Sequence, residues 1–244
     1  MVRYLLVVFA FFPLLMASGQ DWDYGLAEKL AAGVNSDCDE VFPLLSPDGQ
    51  SLYFTRVQCE QNKGGRFTGT DIWSSQHNGS SDWGLASNED ALNDLNNSTI
   101  VGIGEKGDLF YMLKTTSTRR PEGIYLARRL ASGWAKPTLI PVEGIEPNEY
   151  FSVYVTPDQT AMIISMNGPD SRGREDLYIS LKNEKGGWSK PKNMGATINS
   201  TGFEMSPFLS ANKRRLYFAS SGHPGLGNGD IFYCDRLYDS WEIW

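Results

Sequence analysis

The 244-residue chain carries 22 Lys and Arg against 29 Asp and Glu, a net charge of −7 with the basic residues spread thinly, so it offers no basic stripe for nucleic acid. Aromatic residues make up 12% of it, with 25 glycines and 12 prolines, a composition of many short strands and tight turns rather than long helices. Three cysteines, Cys38, Cys59 and Cys234, exclude a disulfide-built scaffold because one must stay unpaired, although Cys38 and Cys59 flank one predicted strand pair and their bridging is left open.

The chain opens with Arg3, an apolar run from Tyr4 to Met16, and the small residues Ala17, Ser18 and Gly19. That is the layout of a secretory signal peptide, and residues 1–19 are expected to be removed on export. The run of about 13 residues falls short of the roughly 20 that a membrane-spanning helix needs, and no later run is apolar enough to span. Residues 20–244 are therefore expected to form a soluble exported protein, periplasmic, envelope-associated or secreted.

Beyond the leader the sequence repeats itself. Glu40–Phe54 and Glu204–Phe218 match along their length, each with a proline three residues in and a Leu-Tyr-Phe ending. Weaker copies lie between them: Thr156-Pro-Asp158 stands where the first unit has Ser46-Pro-Asp48, and Gly104–Asp108 precedes Leu109-Phe-Tyr111. A second element recurs as Asp71-Ile-Trp73, Gly123-Ile-Tyr125, Asp176-Leu-Tyr178 and Asp230-Ile-Phe232, a period of about 53 residues. A tryptophan follows each time, at Trp83, Trp134, Trp188 and Trp241 or Trp244, twice opening a Trp-x-Lys-Pro string.

Within one unit, the β-prone runs Val41–Leu45 and Leu52–Thr55 are separated by Ser-Pro-Asp-Gly, where proline presets φ and glycine accepts a positive one, so a hairpin is predicted. The Asp-Ile-Trp element gives a third strand. The Trp-x-x-Pro segment gives a fourth, at the sheet edge where proline is tolerated. Such a sheet cannot bury both faces alone, and units of this size with four strands each stack around an axis as the blades of a β-propeller. The expected fold class is all-β, with repeats over 37–97, 98–147, 148–200 and 201–244. Residues 20–36 are expected to complete the last blade, with 24–31 as its outer strand, because Tyr24–Ser36 lines up with Trp188–Ser200. The alternative is that the chain forms part of a larger propeller.

The Ser-Pro-Asp-Gly-x-x-Leu-Tyr-Phe string, the Gly225–Phe232 string and the Trp188-Ser-Lys-Pro string together resemble the WD40-like PD40 repeats of TolB-type propellers. They are most similar to those in envelope proteins of Bacteroidetes-type bacteria, often joined to an OmpA-like domain. The resemblance implies a non-catalytic binding or scaffold module. The second unit departs from the pattern, with Gly123 in place of the aspartate.

Residues that recur once per unit read as structural. On that ground Asp48 and Asp158 are assigned to turns, Asp71, Asp176 and Asp230 to satisfying backbone groups at a tight turn, and Trp83, Trp134, Trp188 and Trp241 to packing between blades. Glu40, Glu149 and Glu204 begin the same strand in three units and are expected in equivalent places. The glycine-rich loop carrying His223 and Asn228 is the one candidate ligand loop. His77 and His223 are far apart in sequence and no ligand-spaced cluster accompanies either, so no metal or cofactor is assigned. No Gly-x-Ser-x-Gly elbow is present, and no catalytic residue is assigned. The expected partners are an envelope protein, a peptide or a glycan, with no nucleic acid. The alternative function is a glycan-active enzyme of the sialidase or glycosidase type, which would need several carboxylates and arginines converging on the channel.

Overall fold

Four turns of the same geometry set the architecture. Gly49, Gly107, Gln159 and Lys213 each donate their N–H to the carbonyl three residues back, at 2.7–2.8 Å, on Ser46, Gly104, Thr156 and Ser210. All four adopt positive φ, at 71°, 65°, 57° and 57°, and each turn closes a hairpin between the first and second strands of a blade. The structure, a computed structural model, describes residues 26, 28–79, 82–116, 121–146 and 150–244. The predicted signal peptide and Glu149 lie outside the described residues.

The chain is an all-β, four-blade propeller. Blade 1 is the antiparallel sheet β1 (Asp39–Leu45), β2 (Ser51–Val57), β3 (Thr70–Gln76) and β4 (Ser87–Asn88), with one helical turn, Gly65–Thr68, between β2 and β3. Blade 2 comprises β5 (Asn97–Ile103), β6 (Leu109–Thr115), β7 (Pro121–Leu130), β8 (Gly133–Trp134) and β9 (Thr138–Ile140). Blade 3 is β10 (Phe151–Val155), β11 (Ala161–Met166), β12 (Asp176–Leu181) and β13 (Lys192–Asn193), and blade 4 is β14 (Glu204–Leu209), β15 (Arg215–Ser220) and β16 (Asp230–Asp235). The second unit, despite its departures, builds the sheet with the most strands. Cys38 and Cys59 are bridged, with Cα atoms 5.5 Å apart, tying the start of β1 to the end of β2.

Apolar residues on the second and third strands alternate between two faces, and at the three junctions between consecutive blades the facing sides pack together. Tyr53 and Ile72 of blade 1 meet Phe110, Met112 and Trp134 of blade 2. Leu109, Tyr111 and Leu113 meet Met162, Ile164 and Trp188 of blade 3. Ala161, Ile163 and Leu177 meet Leu216, Phe218 and Trp244 of blade 4. Full burial of each such side chain contributes about 1.5–3 kcal/mol, so these three seams carry most of the stability. Among the described residues no comparable seam joins blade 4 to blade 1; Val34, Leu52, Phe54 and Trp73 form a separate cluster on the far face of blade 1.

Two expectations are corrected. In blades 1 and 3 the fourth strand is not the segment that opens on the tryptophan. Trp83 and Trp188 make single bridges to His77 and Lys182, and the paired stretch follows later, at Ser87–Asn88 and Lys192–Asn193; in blade 3 Pro191 lacks the N–H that would continue the ladder, whereas blade 1 has no proline there, and in blade 2 Trp134 itself pairs, in β8. Blade 4 has three strands, and the described residues between 24 and 31 form no strand on it. Gly33 and Val34 are instead held on blade 1, where their carbonyls accept from Ala86 N–H (2.8 Å) and the Arg56 guanidinium (3.0 Å).

Candidate functional site

The innermost strands β1, β5, β10 and β14 run in one direction, so their four turns gather at one end of the axis, here the hairpin face. These turns and strand ends wall a cavity of about 500 Å³. Leu45 and Pro43 line it from blade 1, Ile103 and Glu105 from blade 2, Tyr154 and Asp158 from blade 3, and Phe208 and Lys213 from blade 4. Phe208 and Leu45, each about 50% exposed, present large apolar surface at its mouth. Burial pushes the Tyr154 phenol up to about 12, and its hydroxyl donates to the Leu209 carbonyl at 3.3 Å.

Local backbone geometry aims these side chains. In β1 and β14 the register slips between Val41 and Leu44 and between Met205 and Phe208. Phe42 and Ser206, each preceding a proline, take φ 53° at these bulges, a left-handed conformation that turns the strand end toward the axis. Blade 2 bulges at the same place, between Ile100 and Gly102, where a Cβ on Gly102 would stand 2.8 Å from the Val155 Cβ of blade 3.

The polar groups of the hairpin face are engaged between blades. The Arg129 guanidinium donates to the Tyr53 hydroxyl at 3.2 Å, and the Tyr111 hydroxyl donates to Gln159 Oε1 at 2.9 Å. Lys213 pairs with Asp158 of blade 3. Partial burial pushes the Asp158 carboxyl up, but hydrogen bonds from Lys213, Thr156 and Thr160 outweigh it and hold the group at about 2. Asp48 accepts from Ser46 Oγ (2.5 Å) and Gln50 N–H (3.0 Å), which lower its pKa.

The remaining repeat residues lie elsewhere. Asp71, Asp176 and Asp230 start the third strands at the opposite end, the linker face. Asp71 accepts from Lys63 N–H and Asn88; Asp176 from Arg172 N–H, Gly173 N–H and Asn193; Asp230 from Leu226 N–H and Gly227 N–H. Burial raises the Asp71 pKa. Trp83, Trp134 and Trp188 lie on the face of their blade that looks back along the chain, and Trp241 stacks on Trp244 and under the Arg236 guanidinium, 4.4 Å from its ring.

Glu40 and Glu204 occupy matching positions. Each accepts from a serine four residues before it, Ser36 or Ser200, and from a side chain on the second strand, Arg56 at 3.0 Å or Ser220 at 2.7 Å. The candidate ligand loop is also on the linker face, away from the cavity. His223 is turned inward, with Nε2 2.8 Å from the Ile198 carbonyl oxygen and its ring 5.3 Å from Phe232, while Asn228 is exposed on the loop. Among the described residues no group of His, Cys, Asp or Glu is arranged to hold a metal ion.

Sequence reasoning missed Leu45, Glu105, Tyr154, Phe208 and Lys213. Their signal was their position: all lie at or beside the four hairpin turns, and the propeller axis brings those turns together.

No protein-family profile matches this sequence, and no curated protein sequence matches it. Solved structures do resemble it. The BT0996 protein, solved as a complex with RGII, aligns with a TM-score of 0.52 at 12% identity, over 79% of this chain and 69% of that one. A TolB-type protein of Agrobacterium tumefaciens gives 0.47 at 16% identity, over 84% of this chain and 64% of its own length. The periplasmic gluconolactonase of Pseudomonas aeruginosa gives 0.43 at 11%, over 75% and 50%. This chain thus spans about two thirds and half of the last two, and at these identities the likeness is one of fold alone.

Proposed function

We propose that this chain is an exported, non-catalytic binding module of a bacterial cell envelope, which takes an apolar side chain of a protein or peptide partner into the axial cavity of its hairpin face. The observation that carries this reading is the cavity wall. It combines prolines, Leu44, Leu45, Ile103, Tyr154, Phe208 and Leu209 with a minority of polar residues, Glu105, Thr156, Asp158, Ser210 and Lys213, the make-up of a recognition pocket. Its Asp158 and Lys213 are committed to each other across the seam between blades 3 and 4. A propeller presenting loops from a rigid scaffold suits such recognition, and among the described residues no helix is long and apolar enough to cross a membrane.

The test is a peptide array and a glycan array probed in parallel with the mature protein. Binding to peptides that carry a large apolar residue, lost in Phe208→Arg and Leu45→Arg variants that remain folded, is the expected result. Binding confined to glycans, or glycan cleavage that survives both substitutions, would overturn the proposal.

A further inference from the structure

The third strand of every blade runs toward the hairpin face, and each delivers a basic residue there. Six places after Asp71, Gly123, Asp176 and Asp230 stand His77, Arg129, Lys182 and Arg236. Each donates its backbone N–H to the carbonyl just before the second strand of its own blade, on Gln50, Asp108, Thr160 or Arg214, at 2.7–2.9 Å. The four positions are therefore equivalent. Each side chain lies against the tryptophan of its blade: the His77 ring is 5.2 Å from that of Trp83, and the Arg129, Lys182 and Arg236 heads lie 4.9, 5.3 and 4.4 Å over Trp134, Trp188 and Trp241.

An aliphatic stem would be enough to cover an indole, so the charged heads call for a second account. Among the described residues Arg129, Lys182 and Arg236 have no carboxylate within ion-pair range, although acids outnumber bases in the chain. Arg129 donates to the neutral Tyr53 hydroxyl, and Arg236 Nε is buried with no acceptor. Several acids of the same face are already taken by other groups. Asp158, Asp235 and Asp239 pair with Lys213, Arg215 and Arg214, and Asp48 accepts from Ser46 and Gln50 and feels Arg129 at longer range.

We propose that Arg129, Lys182 and Arg236, with His77 completing the arc in blade 1, recognise the carboxylates of an acidic polypeptide whose apolar side chain occupies the axial cavity. The inference rests on the reading of that cavity as an apolar anchor site and adds the charge of the partner. A head held over an indole is already oriented, so little freedom is lost when a carboxylate pairs with it. The third strand lies two strand spacings, about 10 Å, outside the innermost one, a distance an extended chain covers in about three residues. Glu105, exposed and without an ion pair, stands on the cavity wall itself. Acidic residues are thus favoured three or more places from the anchor, on either side, and disfavoured beside it. A uronate-rich glycan would match the charge but carries no side chain for the apolar wall.

Fluorescence anisotropy on the mature protein tests this with the labelled peptide Glu-Glu-Gly-Gly-Phe-Gly-Gly-Glu-Glu, its counterpart with Gln for every Glu, and an acidic version with Ala for Phe. The acidic Phe peptide should bind about tenfold tighter than the Gln peptide at low salt, and the gap should close as salt rises. Lys182→Gln and Arg236→Gln should each weaken the acidic peptide about threefold and leave the Gln peptide unchanged, whereas Arg174→Gln, the same charge change on the linker face, should alter neither. Equal affinity for the acidic and Gln peptides, or an equal loss in Arg174→Gln, would overturn the proposal and leave the cavity reading standing. A charge preference that persists in the Ala peptide and in Phe208→Arg would overturn the cavity reading on which it rests. Binding of polygalacturonate that Lys182→Gln and Arg236→Gln abolish, with neither Phe peptide bound, would assign the arc to a glycan and overturn both.

Discussion

Replacing Asp158 by asparagine removes the charge that joins blades 3 and 4 at the cavity wall and leaves its shape. A carboxyl whose pKa falls from 3.8 to about 2 on folding contributes up to about 2.4 kcal/mol at neutral pH. Asp158 and Lys213 keep 23% and 31% of their side-chain surface exposed, and solvent screening reduces the expected loss to about 1 kcal/mol, or roughly 3 °C in Tm for a chain of this size. The sign follows from the depressed folded-state value. The contribution is fully present above 3.8 and is lost as the pH falls through about 2. Urea unfolding of the parent and Asp158→Asn should therefore differ by about 1 kcal/mol at pH 7, and the difference should shrink through that acid window. A double-mutant cycle with Lys213→Met should return most of the difference as coupling. A gap that stays the same down to pH 2, or a coupling indistinguishable from zero, would refute the assignment of this stability to the pair.

Three further outcomes follow from the packing. Converting Cys38 and Cys59 to serine opens a loop with a sequence separation of 21, and chemical denaturation should register a loss of about 3 kcal/mol. Glu204→Ala leaves Ser200 N–H and Ser220 Oγ without their acceptor at a fully buried site; the expected cost is about 3 kcal/mol in equilibrium unfolding, with a smaller loss for Glu204→Gln. Gly102→Ala places a methyl 2.8 Å from the Val155 Cβ, and calorimetry should show destabilisation of about 1–3 kcal/mol. An unchanged Tm there would mean that the seam between blades 2 and 3 yields.

The fold was legible because propeller blades repeat their local chemistry. Ser46-Pro-Asp48 and Thr156-Pro-Asp158 announce turns wherever they occur, and Asp71, Asp176 and Asp230 mark third strands by the same token. In blades 1 and 3 the fourth strand was misplaced because tryptophan is conspicuous in sequence, whereas the residues that pair are Ser87–Asn88 and Lys192–Asn193, which carry no β-propensity of their own; in blade 2 Trp134 does pair. The bulges at Phe42 and Ser206 escaped notice for a different reason. Proline disfavours helical backbone in the residue before it, so a positive φ there is set by the packing around the axis and not by local preference.

The candidate site was hidden because it is built where the repeat is broken. At the fourth turn position blades 1 and 2 use Gly49 and Gly107, which adopt positive φ without strain, while blades 3 and 4 place Gln159 and Lys213 in the same conformation. A side chain there costs of order 1 kcal/mol, and both residues use the reach it gives them: Gln159 accepts from Tyr111 of blade 2, and Lys213 pairs with Asp158 of blade 3. Each strained residue reaches back to the preceding blade on the hairpin face, and Lys213 also lines the axial cavity. The strain therefore lies on the face where an apolar partner is proposed to enter, and the unstrained glycine turns belong to the two blades whose polar contact, Arg129 to Tyr53, is made from further along the sheet. Departures from the repeat, read against the positions that keep it, locate the site that the repeat itself conceals.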